Sequence, residues 1–138
     1  MGFEDTFKKQ IDELGKVLIQ LLTGLLGLKA QGKIEDGVNF VKQNFHTESG
    51  LGFNDLLSVP PQELADFLSV KHKLTNENID RLADIFYEMA DGLEPKDTTR
   101  SRIFFERSLV LHEYLNITDP TYSLERHFKI EDIKAVLK

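Results

Sequence analysis

His112 and Glu113 stand side by side in "SRIFFERSLVLHEYLN", residues 101–116. A histidine followed by glutamate opens the zinc-binding helix H-E-x-x-H, where two imidazoles four residues apart share one helix face and the glutamate acts as general base. The position of the second imidazole is Asn116 here, so the pattern makes no zinc site. His46, His72 and His127 have no histidine, cysteine or carboxylate at a recognised ligand spacing, and solvated or hydrogen-bonded structural histidines are expected. Cysteine is absent, which removes thiolate metal sites, thiol nucleophiles and disulfides together. No metal and no cofactor are expected.

The remaining reactive residue types lack their context. Ser69, Ser101, Ser108 and Ser123 are not in a nucleophile elbow, and a nucleophilic serine needs a partner base. Gly24 and Gly27 fall inside a helical stripe, and Gly50-Leu51-Gly52 lacks the lysine of a phosphate loop. Arg100, Arg102, Arg107 and Arg126 could grip a carboxylate or phosphate by forked hydrogen bonds. Their helical angles spread them over several faces, so ion pairs with neighbours such as Glu106 are expected instead. Asn116-Ile117-Thr118 matches a glycosylation acceptor, which matters only on secretion.

Helices must position whatever chemistry exists. Phe3, Phe7, Ile11, Leu14, Leu18, Leu21 or Leu22, Leu25 and Leu28 recur at steps of three and four, the period of one helix face, and Gly32 supplies a C-terminal stop. Gly15, Gly24 and Gly27 weaken that helix, and close approach of another helix is their expected reason. A second stripe runs Ile34, Val38, Val41, Phe45. Pro60-Pro61 forbids a continuous helix, which predicts a short turn before the prolines and a short helix after them, with Leu64, Phe67 and Leu68 inward. Thr75 or Asn76 caps a helix with the stripe Ile79, Leu82, Ala83, Phe86, Ala90. The helix from Thr99 to Asn116 is apolar nearly all round and is expected at the centre. Asp119, with Pro120 at the first helical position, is the expected cap of a last helix carrying Leu124, Phe128, Ile133 and Leu137.

At 138 residues the chain fits one domain, residues 1–138, large enough for a real core. The net charge of −6 opposes phosphate backbones and anionic lipid, so no nucleic-acid partner is expected. "VLIQLLTGLLGL", residues 17–28, is shorter than the roughly 20 residues of a membrane span. It follows acidic residues rather than a basic n-region, which reads against a secretory signal and for a cytoplasmic protein. Met1-Gly2 with Thr6 matches the loose myristoylation pattern, but acidic residues interrupt it.

Leu82-Ala83, Phe86 and Ala90, then Ser101, Phe105 and Ser108, give the small and aromatic positions of a helix hairpin that resembles a tetratricopeptide repeat. Gly32 to Gly37 resembles its interhelix turn, while Gly24-Leu25 inverts the Leu-Gly pair and the two units lie more than one repeat apart. The resemblance therefore implies an all-α, tetratricopeptide-like compact bundle of about five to six antiparallel helices rather than a solenoid. The stretch from "LADIFYEMAD" onward also resembles a little-characterised family of small helical bacterial proteins, which brings no activity with it.

In tetratricopeptide proteins one side of the first helix lines a peptide groove. The resemblance carries that role to Asp80, Asp84, Tyr87 and Glu88, where carboxylates flanking a tyrosine suit a cationic segment through charge and ring contact. The plainer reading of this face is a solvated surface with Glu77 pairing Arg81. The expected function is a non-enzymatic protein-protein interaction module that binds a basic or amphipathic peptide segment. The alternative is a small helical enzyme or ligand carrier whose polar groups folding draws together. Because few repeats leave their end faces uncovered, a homodimer through the glycine-bearing first helix is also expected.

Overall fold

The computed structural model describes residues 3–47, 50–96, 98–119, 121 and 123–138, with backbone alone at residues 3–5 and 7. Among the described residues seven α-helices follow one another: α1 (Phe3–Ala30), α2 (Ile34–Asn44), α3 (Phe53–Ser58), α4 (Pro61–Asp66), α5 (Asn76–Gly92), α6 (Thr99–Thr118) and α7 (Leu124–Leu137). The chain is all-α. A π-helical turn, Phe67–Lys71, continues α4, and among the described residues the one extended pairing is an isolated bridge between His46 and Gly52. Seven helices replace the expected five or six partly because the segment before the prolines is itself a helix. The Asp55 carboxylate accepts from the Gly52 N–H at 2.8 Å and starts α3, while Pro61 opens α4 at its first position, where a missing donor costs nothing.

Gly32 ends α1 as expected. Its φ of +73° lets the Lys33 N–H reach the Leu28 carbonyl at 2.8 Å and its own N–H reach Lys29 at 3.0 Å, the paired bonds of a Schellman stop. The chain then doubles back as α2. A Cβ on Gly24 would come within 2.4 Å of the Phe40 ring, so α1 and α2 meet face to face because that glycine is bare. Gly15 faces α5 less tightly, a Cβ there lying 3.2 Å from Arg81 and 3.3 Å from Asn78 side-chain atoms, whereas Gly27 meets nothing within 4 Å.

Thr75 caps α5 by accepting from the Asn78 N–H, and Thr98 caps α6 by accepting from Ser101. These two helices form the core hairpin. Ala83, Ala90, Ser101 and Ser108 are all fully buried, and each serine hydroxyl donates across the seam, Ser108 to the Ala83 carbonyl at 2.8 Å and Ser101 to Ala90 at 2.9 Å. The seam thus fixes the register of one helix against the other. Helix α6 also touches α4 and α7, and α5 also touches α1 and α2, so the two share the centre expected of α6 alone. Phe45, Phe53, Phe86 and Phe104 link the layers through ring contacts of 5.9–6.3 Å.

Leu64 and Leu68 are buried and the half-buried Phe67 packs against the core as expected, its ring also 4.6 Å from His72. One sequence expectation changes, at the last helix. Helix α7 is capped by Ser123, whose hydroxyl accepts from the Arg126 N–H, and not by Asp119, whose carboxylate accepts from Thr121; Pro120 lies outside the described residues. Nine residues, two and a half turns, separate Leu124 from Ile133, so Ile130 and Ile133 face inward while Leu124 and Phe128 are 56% and 59% exposed on the other side. The inward face carries Arg126 and Lys129 as well, which fits a helix docking on a polar surface. Among the described residues no helix is long and apolar enough to cross a membrane.

Candidate functional site

The side of α5 away from its apolar stripe holds Asp80, Asp84, Tyr87, Glu88 and Asp91, all half-buried. Positions one turn apart on a helix lie 5–6 Å from each other, so these groups form one strip. Each is met by a charged or polar side chain from elsewhere. The Lys129 ammonium lies 2.7 Å from Asp84 Oδ1 and 3.3 Å from Glu125, and sits 5.6 Å from the centre of the Tyr87 ring. Tyr87 donates its hydroxyl to Asp132 at 3.0 Å. Arg126 lies 3.8 Å from Asp80 and 3.6 Å from Asp119. Lys29, in the last turn of α1, reaches Glu88 at 3.2 Å and Asp91 at 2.8 Å.

The charge and ring contact expected of a bound cationic segment are therefore made by Lys129 of the chain's own α7. Burial holds the Asp80 and Asp84 carboxyls above the usual carboxylate range, outweighing the pull of Arg126 on the first and of Lys129 on the second. Burial also opposes the Lys129 charge, but its hydrogen bond and attraction to Asp84 prevail and raise its pKa. For Asp91 burial is again the largest single influence, yet the hydrogen bonds from Lys29 and Lys96 win and lower its pKa.

The residue that sequence reasoning missed is His112. It is 1% exposed, its Nε2 lies 3.6 Å from Asp84 Oδ1, and neither ring nitrogen has a hydrogen-bond partner among the described residues. Asp80, Asp84 and His112 each offer a donor atom, and the three atoms lie within 4.8 Å of one another. They line a cavity of about 30 Å³ with Ser123, Glu125, Arg126 and Lys129. Glu113 is not part of it, being turned outward toward Lys134 at 3.8 Å. The available signal was the hairpin register: carrying the Ala83–Ser108 pairing one turn along brings His112 level with Ile79 and Asp80.

The four arginines weighed as an anion surface are dispersed. Arg100 pairs with Glu35, Arg102 donates to the carbonyls of Val136 and Leu137, and Arg107 donates to those of Leu56, Leu57, Val59 and Ile103. Two of them thus serve carbonyls rather than the ion pairs expected with neighbours such as Glu106. The anticipated Glu77–Arg81 pair is present at 2.6 Å. His46 and His72 line a separate cavity of about 200 Å³ whose floor includes Ile11, Leu14, Val17 and Leu74.

Comparison with protein-family models, with curated proteins and with solved structures finds no match to this chain.

His112 gives a pH expectation. Burial first, then the nearby Lys129 and Arg126 charges, depress its pKa from 6.5 to about 3. Below pH 6.5 the unfolded chain therefore takes up a proton that the folded chain refuses, and stability falls as pH falls. Between pH 7.5 and 5 the loss amounts to about 2 kcal/mol. His72, lowered by burial and by Lys71, adds in the same direction. Asp80 and Asp84 act oppositely: with raised folded pKa values they gain protons first in the folded state and offset the loss at the acid end. Urea melts across this range should show the decline, and His112→Gln should flatten most of it. A slope unchanged by that substitution would show that the imidazole is not held neutral.

Proposed function

We propose that this protein is a non-enzymatic, tetratricopeptide-like interaction module of the cytoplasm, whose acidic α5 face receives a basic amphipathic helix. The observation that carries the reading is Lys129, which meets Asp84 by charge and Tyr87 by ring contact from a helix 45 residues along the chain. That single side chain defines the chemistry the face accepts: an ammonium between carboxylates, over an aromatic ring. Helix α7 is the intramolecular occupant, and a partner helix of similar character competes with it. Its attachment to α5 is made by Arg126 and Lys129, largely buried side chains that reach Asp80 and Asp84, while Ile130 and Ile133 of the same helix are buried. A partner helix displaces it from the strip by supplying cations to the same carboxylates.

The test uses a labelled peptide copying residues 123–138. It should bind the chain carrying Arg126→Ala and Lys129→Ala at least about tenfold more tightly than the unaltered chain, because the competing helix is loosened there. Adding Asp84→Asn to that background should remove the binding. A peptide that binds neither chain would reject the exchangeable face. The homodimer proposed with this reading uses the outer side of α1, where Ile19 and Leu26 are 49% and 43% exposed. Light scattering that gives a monomer at high micromolar concentration would dismiss it.

A further inference from the structure

The carboxylates around His112 outnumber the cations. Among the described residues the cations that pair with Asp80, Asp84, Asp119 and Glu125 are Arg126 and Lys129. A buried imidazole with no partner on either nitrogen is an uncommon and costly arrangement, since polar groups inside proteins are nearly always hydrogen-bonded. Here the imidazole edge lies beside two carboxylates whose positions one helical turn apart are fixed by α5, and the Ala83–Ser108 and Ala90–Ser101 bonds fix α6 against α5. The donors are thus held by two rigid elements locked in register.

We propose that Asp80, Asp84 and His112 form a binding site for a divalent first-row transition metal, with Zn²⁺ the best fit, in which the ion takes the seat now held by the Lys129 ammonium. The donor set of one imidazole and two carboxylates is too poor in oxygen for Ca²⁺, which takes six to eight oxygens, and Mg²⁺ avoids imidazole. Zn²⁺ accepts such a set readily and completes four-coordination with a water or a further carboxylate. Glu125 also lines the cavity but stays with the displaced Lys129 ammonium, so a water fills that position. A donor separation of up to 4.8 Å exceeds that of a closed tetrahedral site, so binding draws the three side chains inward by about an ångström. Lys129 already contacts Glu125 at 3.3 Å, so its ammonium can pivot toward solvent without leaving its carboxylate neighbourhood.

The competing lysine makes the proposal sharp. An exposed acidic patch would bind a cation only slightly better without one nearby lysine, whereas removal of a charge seated within the metal's own position acts at short range and strong coupling. Co²⁺ titrated into the full chain, followed by its visible absorption and by calorimetry with Zn²⁺, is the experiment. One ion per chain is expected, with Lys129→Met tightening binding by at least about tenfold and His112→Gln weakening it by at least about tenfold. Absence of binding at about 0.1 mM metal, or binding that His112→Gln leaves unchanged, overturns the site. If His112→Gln does not fold, Lys129→Met decides alone, and an affinity that fails to rise overturns the proposal. No peptide is present in the titration, so its outcome is separate from whether α7 yields to a partner.

Discussion

Replacing Phe104 with alanine should lower the unfolding free energy by about 3–5 kcal/mol, the range for emptying a buried aromatic site. Phe104 is 1% exposed and lies 6.3 Å from Phe53 and 6.1 Å from Phe86, rings that come from three different helices. Its removal opens a void where α3, α5 and α6 converge, and the surrounding rings cannot all close on it because the serine bonds hold α5 and α6 in register. For a chain of this length the loss corresponds to a fall in melting temperature of roughly 10–15 °C. Phe104→Leu keeps much of the volume and should cost less than half as much. Equal effects of the two substitutions would show that the ring's volume is not what the core depends on.

Arg107→Met should cost about 3 kcal/mol through a different mechanism. The guanidinium is 6% exposed, faces no carboxylate within bonding distance among the described residues, and donates Nε to Leu56 at 3.1 Å and Nη2 to Leu57 and Val59 at 2.9 and 3.3 Å. Those carbonyls close the end of α3 just before Pro60, a residue with no N–H to offer them. Methionine fills the space of the stem and leaves the carbonyls buried and unpaired, at about 1–3 kcal/mol for each that water cannot reach. Burial lowers the Arg107 pKa, with the Glu106 charge opposing it, and a guanidinium presents its donors in a rigid planar fork. Lysine has one ammonium where the fork spans four carbonyls, and Arg107→Lys should recover only part of the loss. Amide exchange confined to residues 53–59 is the signature, and protection there equal to the unaltered chain would refute the assignment.

Much of this architecture is legible because it is local. The three-and-four spacing of Leu14, Leu18, Leu25 and of Ile79, Leu82, Phe86 dictates helices, and Gly32 and Thr75 mark ends through backbone conformation and a single hydroxyl. Helix α3 escaped that reading because six residues hold too little periodicity to stand out beside two prolines. The face of α7 escaped it because Leu124 and Phe128 look like core residues in sequence, while the contacts that orient the helix are Arg126 and Lys129 reaching carboxylates on another element. The acidic strip itself was visible as a strip. Its companion His112 was not, since the motif beginning with it pointed to Glu113 and Asn116 along the same helix, whereas the relevant partners lie across the seam on α5.

The link between Lys129 and Asp84 also has a consequence in time. A ribosome adds roughly 5–20 residues per second, so the aspartate precedes its lysine by about 2–9 seconds of synthesis. In the last part of that interval, once α6 has been made, a nascent hairpin bears Asp80 and Asp84 beside a half-covered imidazole without their lysine, and whatever cation or basic segment is nearby meets the strip before α7 exists.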